Sequence, residues 1–144
     1  MELERIHLFD EQFELLLPHN HRFAGRPALR LDELRDETWI GGIGAYHHVL
    51  HHSCQDAGFE PRVAYRTDDY RAIQALVAAG LGVAMLPRLA LTLIPPRLVR
   101  VAIRQRPPVR RISAARLAKS FRSPATETMV RVLAETAAAP DRLP

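Results

Sequence analysis

Apolar and polar positions alternate in two rhythms along this chain. Leu3 to Phe9 (LERIHLF) and Phe13 to Leu17 (FELLL) predict two short strands, the second a continuous apolar run of the buried kind. Pro18-His19-Asn20-His21 stops that run, Ala24-Gly25-Arg26-Pro27 reads as a loop, and Leu31 to Leu34 as a single helical turn. Thr38 to Ile40 is a further strand that runs into Gly41-Gly42-Ile43-Gly44. A helix follows from Ala45 to Ala57, ended by Gly58 as a left-handed cap, and Pro61 to Arg66 is the next strand. Thr67-Asp68-Asp69 offers capping side chains to a helix whose face carries Tyr70, Ile73, Gln74, Leu76 and Val77, and Gly80 closes it. Val83 to Leu86 is apolar enough to need cover on both sides, and Pro87 ends it. Strand, helix and strand at this spacing imply a right-handed crossover and a parallel sheet. Leu98 to Ile103 and Val109 to Ala115 are strands joined across Pro107-Pro108. Ser123-Pro124 opens the last helix, with serine as cap and Glu127 in the first turn, and Pro140 to Pro144 reads as a frayed tail.

Composition narrows the class. The 144 residues are 47% apolar and 25% charged, as in an ordinary globular protein, and the length suits one domain or slightly more. No apolar run approaches the roughly 18 residues of a membrane span, and the mixed N-terminus is no secretory signal, so the expected setting is the cytoplasm. A single cysteine, Cys54, excludes an intrachain disulfide framework.

The net charge of +4 is unevenly spread. Residues 1–72 hold 8 basic and 13 acidic side chains, residues 73–144 hold 12 and 3. Arg97, Arg100, Arg104, Arg106, Arg110, Arg111, Arg116, Lys119 and Arg122 follow one another without an acid between them. Such a stretch suits a solvated or anion-facing surface. A nucleic-acid groove is the alternative, although Phe121 is the only aromatic available for base stacking.

Candidate chemistry is sparse. His47 and His51 are four apart, as are His48 and His52, so each pair shares a helix face and has chelating spacing. Val49 and Leu50 stand where a zinc hydrolase motif would need a glutamate, and solvent-exposed helix histidines are the expectation, with weak, tag-like adventitious metal binding and a functional metal site as the alternatives. Ser53-Cys54 has no nucleophile signature around it, and Cys54 reads as a small buried hydrophobe. The GGIG segment matches neither a phosphate loop nor a dinucleotide fingerprint. It still places backbone amides at a strand end and a helix start, which favours an anion such as a carboxylate. Thr67-Asp68-Asp69 is a second helix start after the next strand. In a parallel sheet the two turns line one crevice, with a purely capping role for Thr67 or Asp68 as the alternative. No catalytic residue, metal or cofactor is assigned.

Three stretches, taken in order, resemble the C-terminal effector-binding domain of LysR-type transcriptional regulators. They are LFDEQFELLLPHNHRFAGRPALRLDELRDETWI, HSCQDAGFEPRVAYRTDDYRAIQALVAAGLGVAMLPRLAL and VRRISAARLAKSFRSPATETMVRVLAE, and together they cover nearly the whole chain. The resemblance implies an α/β, periplasmic-binding-protein-like fold of type II with a mainly parallel sheet flanked by helices, plus remnants of a second subdomain. Residues 1–17 would be that remnant with its hinge strand, 18–108 the second effector subdomain, and 109–144 the return strand and C-terminal helix. A small, anionic effector would sit in a cleft between subdomains, with contacts carried over onto Gly42, Ile43, Tyr46, Thr67 and Asp68. The family's dimer would place Val63, Tyr65, Tyr70, Ile73, Gln74 and Val77 in a homodimer interface. The family's N-terminal winged helix-turn-helix is not matched, so the expectation is a truncated chain without direct DNA contact. The alternatives are a ligand-free dimerisation or interaction module and, on the histidines alone, a metal-dependent hydrolase.

Overall fold

The computed structural model describes residues 2–118 and 123–139. Seven strands and three α-helices follow one another as β1 (Leu3–Pro18), β2 (Ala28–Leu29), β3 (Thr38–Gly41), α1 (Gly44–Asp56), β4 (Arg62–Arg66), α2 (Tyr70–Ala78), β5 (Ala84–Pro87), β6 (Leu98–Ile103), β7 (Val109–Leu117) and α3 (Pro124–Ala137). Short 3-10 turns occupy Leu31–Leu34 and Arg88–Leu91, the second of which the sequence pattern did not suggest. The chain divides into two compact units, Met1–Glu11 with Val109–Pro144, and Gln12–Pro108.

The larger unit holds a sheet in the order β4-β3-β5-β1-β6-β2, its two parts joined at the Trp39–Val83 bridge. β3 and β4 are parallel, β5 and β6 are both antiparallel to β1, and β2 is parallel to β6. The mainly parallel expectation therefore holds for direction, with β1 alone running against the other strands. Two hydrogen bonds of 2.8 Å carry the β3–β5 junction, Ile40 N–H to the Val83 carbonyl and Val83 N–H to that of Thr38. A Cβ at Gly82 would lie 2.6 Å from the Thr38 carbonyl oxygen, so only glycine lets the chains approach this closely there.

Alternation along β1 splits the core between the two sheet faces. Leu15 and Leu17 join Trp39, Leu50, Cys54, Met85 and Val101 on the side covered by α1. Leu16 joins Ile40, Ile73, Val77, Ala84 and Leu86 on the side covered by α2. Each fully buried leucine contributes about 1.5–3 kcal/mol, so this two-sided core is what holds the unit together.

The smaller unit is built from β1 up to Glu11, β7 paired to it, and α3. Ser123 caps α3, its Oγ accepting from Thr126 N–H at 3.2 Å. No residue of α3 is buried.

Two expectations need correction. The two short N-terminal strands are one continuous strand, because Asp10-Glu11-Gln12 stays extended. Glu11, 5% exposed, is satisfied there by the Arg110 guanidinium at 3.0 and 3.1 Å, 99 residues along the chain. The basic stretch is likewise no uniform anion-facing surface. Arg100 pairs with Glu14 at 2.8 Å, Arg111 with Asp10 at 3.7 Å, and Arg116 with both Glu4 and Glu127 at 2.9 Å. Apart from Glu127, acids from the first half of the chain answer bases from the second. Lys119, Phe121 and Arg122, like the tail from Pro140, lie outside the described residues.

Candidate functional site

Because β3 and β4 are parallel neighbours, the chain leaves both at the same end of the sheet. There the two turns meet. Ile43 N–H donates to Asp68 Oδ1 at 2.7 Å, and Thr67 N–H donates to the Gly41 carbonyl at 3.1 Å. Asp69 caps α2 by accepting from Arg71 and Ala72 N–H at 2.8 and 3.3 Å, while Thr67 Oγ1 accepts from Asp69 N–H. No side chain caps α1, whose first residues Gly44 and Ala45 are exposed. The N-terminal amides of α1 are therefore presented outward with the positive end of the helix dipole behind them.

Gly42 and Tyr46 form the floor of this corner. A Cβ on Gly42 would fall 1.7 Å from Tyr46 Cδ1, so the ring packs where any other side chain would begin. That ring stacks on Phe13 at 6.4 Å and meets Tyr70 edge-on at 6.3 Å. Its hydroxyl donates to the Met85 carbonyl, and burial raises its pKa above the usual tyrosine value. All five residues singled out for ligand contact thus converge on one corner. Ile43 and Asp68 are exposed and Thr67 half-buried, whereas Gly42 is buried and the Tyr46 hydroxyl is already engaged.

One neighbour escaped the sequence reading. Arg66, exposed at the end of β4 directly before Thr67, brings a positive charge to the same corner, and that charge reaches His47. Its place in the run RTDD was the available signal. Beside Asp68 a groove of about 910 Å³ continues along α2, lined by Tyr70, Gln74, Leu89, Leu93 and Pro95 among others.

Residues 1–138 match the LysR substrate binding domain family. The chain belongs to that family. Among curated relatives it is 34% identical over 82 residues to the transcriptional dual regulator GltC of Bacillus subtilis, covering 56% of this chain and 27% of GltC. It spans between 26 and 43% of the length of the curated relatives it matches, all of them transcriptional regulators rather than enzymes. The CcmR regulatory domain of Synechocystis PCC6803, solved in complex with 2-PG, superposes with a TM-score of 0.84 at 21% identity, over 97% of this chain and 69% of that one. The effector-binding domain of QuiR in complex with shikimate superposes at 0.78 with 16% identity, over 96% and 66%. These likenesses establish the periplasmic-binding-protein-like fold.

Within this LysR-family domain the remaining expected residues separate. Tyr65 is exposed on β4, which pairs with β3 alone among the described residues, and Val63 and Tyr70 are half-buried. Ile73 and Val77, by contrast, are fully buried in their own core, and buried Gln74 donates through Nε2 to the Ala90 carbonyl at 2.7 Å. Those three side chains cannot face a partner as expected, since the sheet beneath α2 claims the apolar face that the sequence displays.

The histidines also divide. His48 and His52 are exposed as expected, but His47 and His51 are half-buried with ring centroids 4.1 Å apart. Cys54 is buried in the core, which pushes its thiol up to about 12, so it is an inert packing residue. Ser53 Oγ donates to the Val49 carbonyl of its own helix at 2.8 Å, leaving no nucleophile arrangement beside the histidines. Among the described residues no three metal-ligating side chains cluster, and no helix is long and apolar enough to cross a membrane.

Proposed function

We propose that this chain is the ligand-sensing part of a LysR-type transcriptional regulator and takes a small anionic effector at the corner of Gly42, Ile43, Thr67 and Asp68. The observation that supports this reading is the Ile43–Asp68 hydrogen bond, which ties both turns together at one end of the sheet. A carboxylate of the effector would accept from the outward amides of α1, with Arg66 adding charge. Tyr46 acts beneath as a support for Gly42. Shikimate, the ligand of the QuiR domain, is itself a carboxylate. The effector acts by population shift, since only a ligand that binds one conformation better than another changes the regulator's state. In the cytoplasm, DNA is contacted through an N-terminal domain outside this sequence, and the exposed edge of β4 with Val63 and Tyr65 pairs two copies.

Thermal melting with a panel of small carboxylates, hydroxy acids and amino acids tests the reading. A ligand at a hundredfold its Kd adds about 2.7 kcal/mol, enough to raise Tm by several degrees. Asp68→Ala should abolish that rise. No hit across the panel, or a hit insensitive to Asp68, removes the assignment.

A second reading is an interaction module without a ligand. Met129, Val132 and Leu133 form an exposed apolar stripe on α3, which favours self-association. Sedimentation at several concentrations distinguishes it, because a strict monomer excludes it.

A further inference from the structure

We infer that His47 and His51 form a two-imidazole binding site for a divalent late transition ion such as zinc, with Glu60 orienting His51 from behind. The two residues lie one turn apart on α1 with their rings 4.1 Å centroid to centroid. His47 Nδ1 and His51 Nε2 are both buried from solvent, and neither has a hydrogen-bond partner among the described residues. Two unpaired ring nitrogens on one face are costly for the chain and are the donors a metal takes.

The rest of the cluster is arranged as around a metal-bound imidazole. His51 Nδ1 sits 3.3 Å from Glu60 Oε2, and Glu60 Oε1 accepts from Gln55 Nε2 at 2.5 Å. A carboxylate on Nδ1 selects the tautomer protonated there, so the Nε2 lone pair is left for an ion. An ion held by both rings would take metal–nitrogen bonds of about 2.0–2.1 Å. No third ligating side chain is within reach among the described residues, so water or a donor atom from a bound molecule completes the coordination. Arg66 opposes any cation here, so the ion is held more weakly than at a four-ligand structural zinc site.

The exposed pair His48 and His52 has the same sequence spacing and provides the internal control. Zinc is titrated into the untagged chain against a chromophoric chelator. The wild type takes up one ion per chain, and its Tm rises above the value in EDTA. His47→Ala and His51→Ala each weaken uptake at least tenfold, Glu60→Gln weakens it about 10- to 100-fold, and the His48→Ala/His52→Ala double variant leaves it unchanged. Melting curves in EDTA establish that each variant is folded. Absence of saturable uptake by the wild type, loss of uptake in the His48/His52 variant instead, or indifference to Glu60→Gln overturns the assignment.

Discussion

Every buried apolar side chain among the described residues, from Phe13 to Ile103, belongs to the larger unit, whereas the smaller one buries only the carboxylate-bearing Glu11. Both contain well-formed strands and a capped, amphipathic helix. The difference lies in what their apolar faces meet. In the larger unit α2 presses Ile73 and Val77 onto the sheet, while on α3 Met129, Val132 and Leu133 remain exposed. The smaller unit relies on polar links instead, Glu11 with Arg110, and Arg116 with both Glu4 and Glu127. The partly exposed pairs of Arg116 contribute only about 0–1 kcal/mol each, and the buried Glu11–Arg110 pair mainly repays the desolvation of its own charges, so neither matches a buried leucine. Secondary structure is therefore shared by both regions, and a core is not.

The sharpest way to break that comparison is truncation in each region. Leu16→Ala should cost about 2–5 kcal/mol in urea denaturation, because the fully buried side chain leaves a cavity between β1 and α2. Val132→Ala on α3 should stay within about 0.5 kcal/mol. Equal costs would mean that the smaller unit has a core after all.

A backbone test comes next. Gly80 ends α2 with φ of +76° and has nothing within 4 Å of where a Cβ would sit. Gly80→Ala should then lose about 1–2 kcal/mol from conformation alone, measured in the same denaturation.

The corner can be dissected with two adjacent acids. Asp69→Ala removes the α2 cap and should cost about 1 kcal/mol while sparing ligand response. Asp68→Ala removes the bond to Ile43, should cost about as much in stability, and should in addition silence any effector found by melting. Equal effects of both on ligand response would show that the corner works only through helix capping.

The last test is confined to alkaline solution. Cys54 has its thiol raised from 9.0 to about 12 in the folded chain, so between those values the unfolded chain gives up a proton that the native one keeps. Stability should therefore fall as pH rises from 9 towards 12, and Cys54→Ala should flatten that slope. An unchanged slope in the variant would place Cys54 outside the core of the larger unit.

Most elements were legible because their signals are local. Gly58 and Gly80 take the positive φ expected of helix ends, Ser123 caps α3, and β6 spans Leu98–Ile103 as its alternation indicates. The break between the first two strands was misread because Asp10-Glu11-Gln12 is polar, and the partner that makes Glu11 tolerable lies on β7. The turns holding Gly42, Ile43, Thr67 and Asp68 were legible as segments following strands, while Tyr46, on α1, came only from the resemblance. The burial of Gln74 was not, since it depends on the Ala90 carbonyl supplied by another element.

By itself, the order of residues determined the rhythm of strands and helices and the points where they stop, because propensity, capping and patterning act within a few positions, while three stretches taken in order carried the likeness to the LysR family. Only the tertiary structure decided that Ile43 N–H meets Asp68, that the acids of β1 answer the arginines of β6 and β7, and that His47 faces His51 while His48 faces water. Those outcomes depend on which sheet face each helix covers and on pairings across as many as 112 residues, which no local pattern encodes.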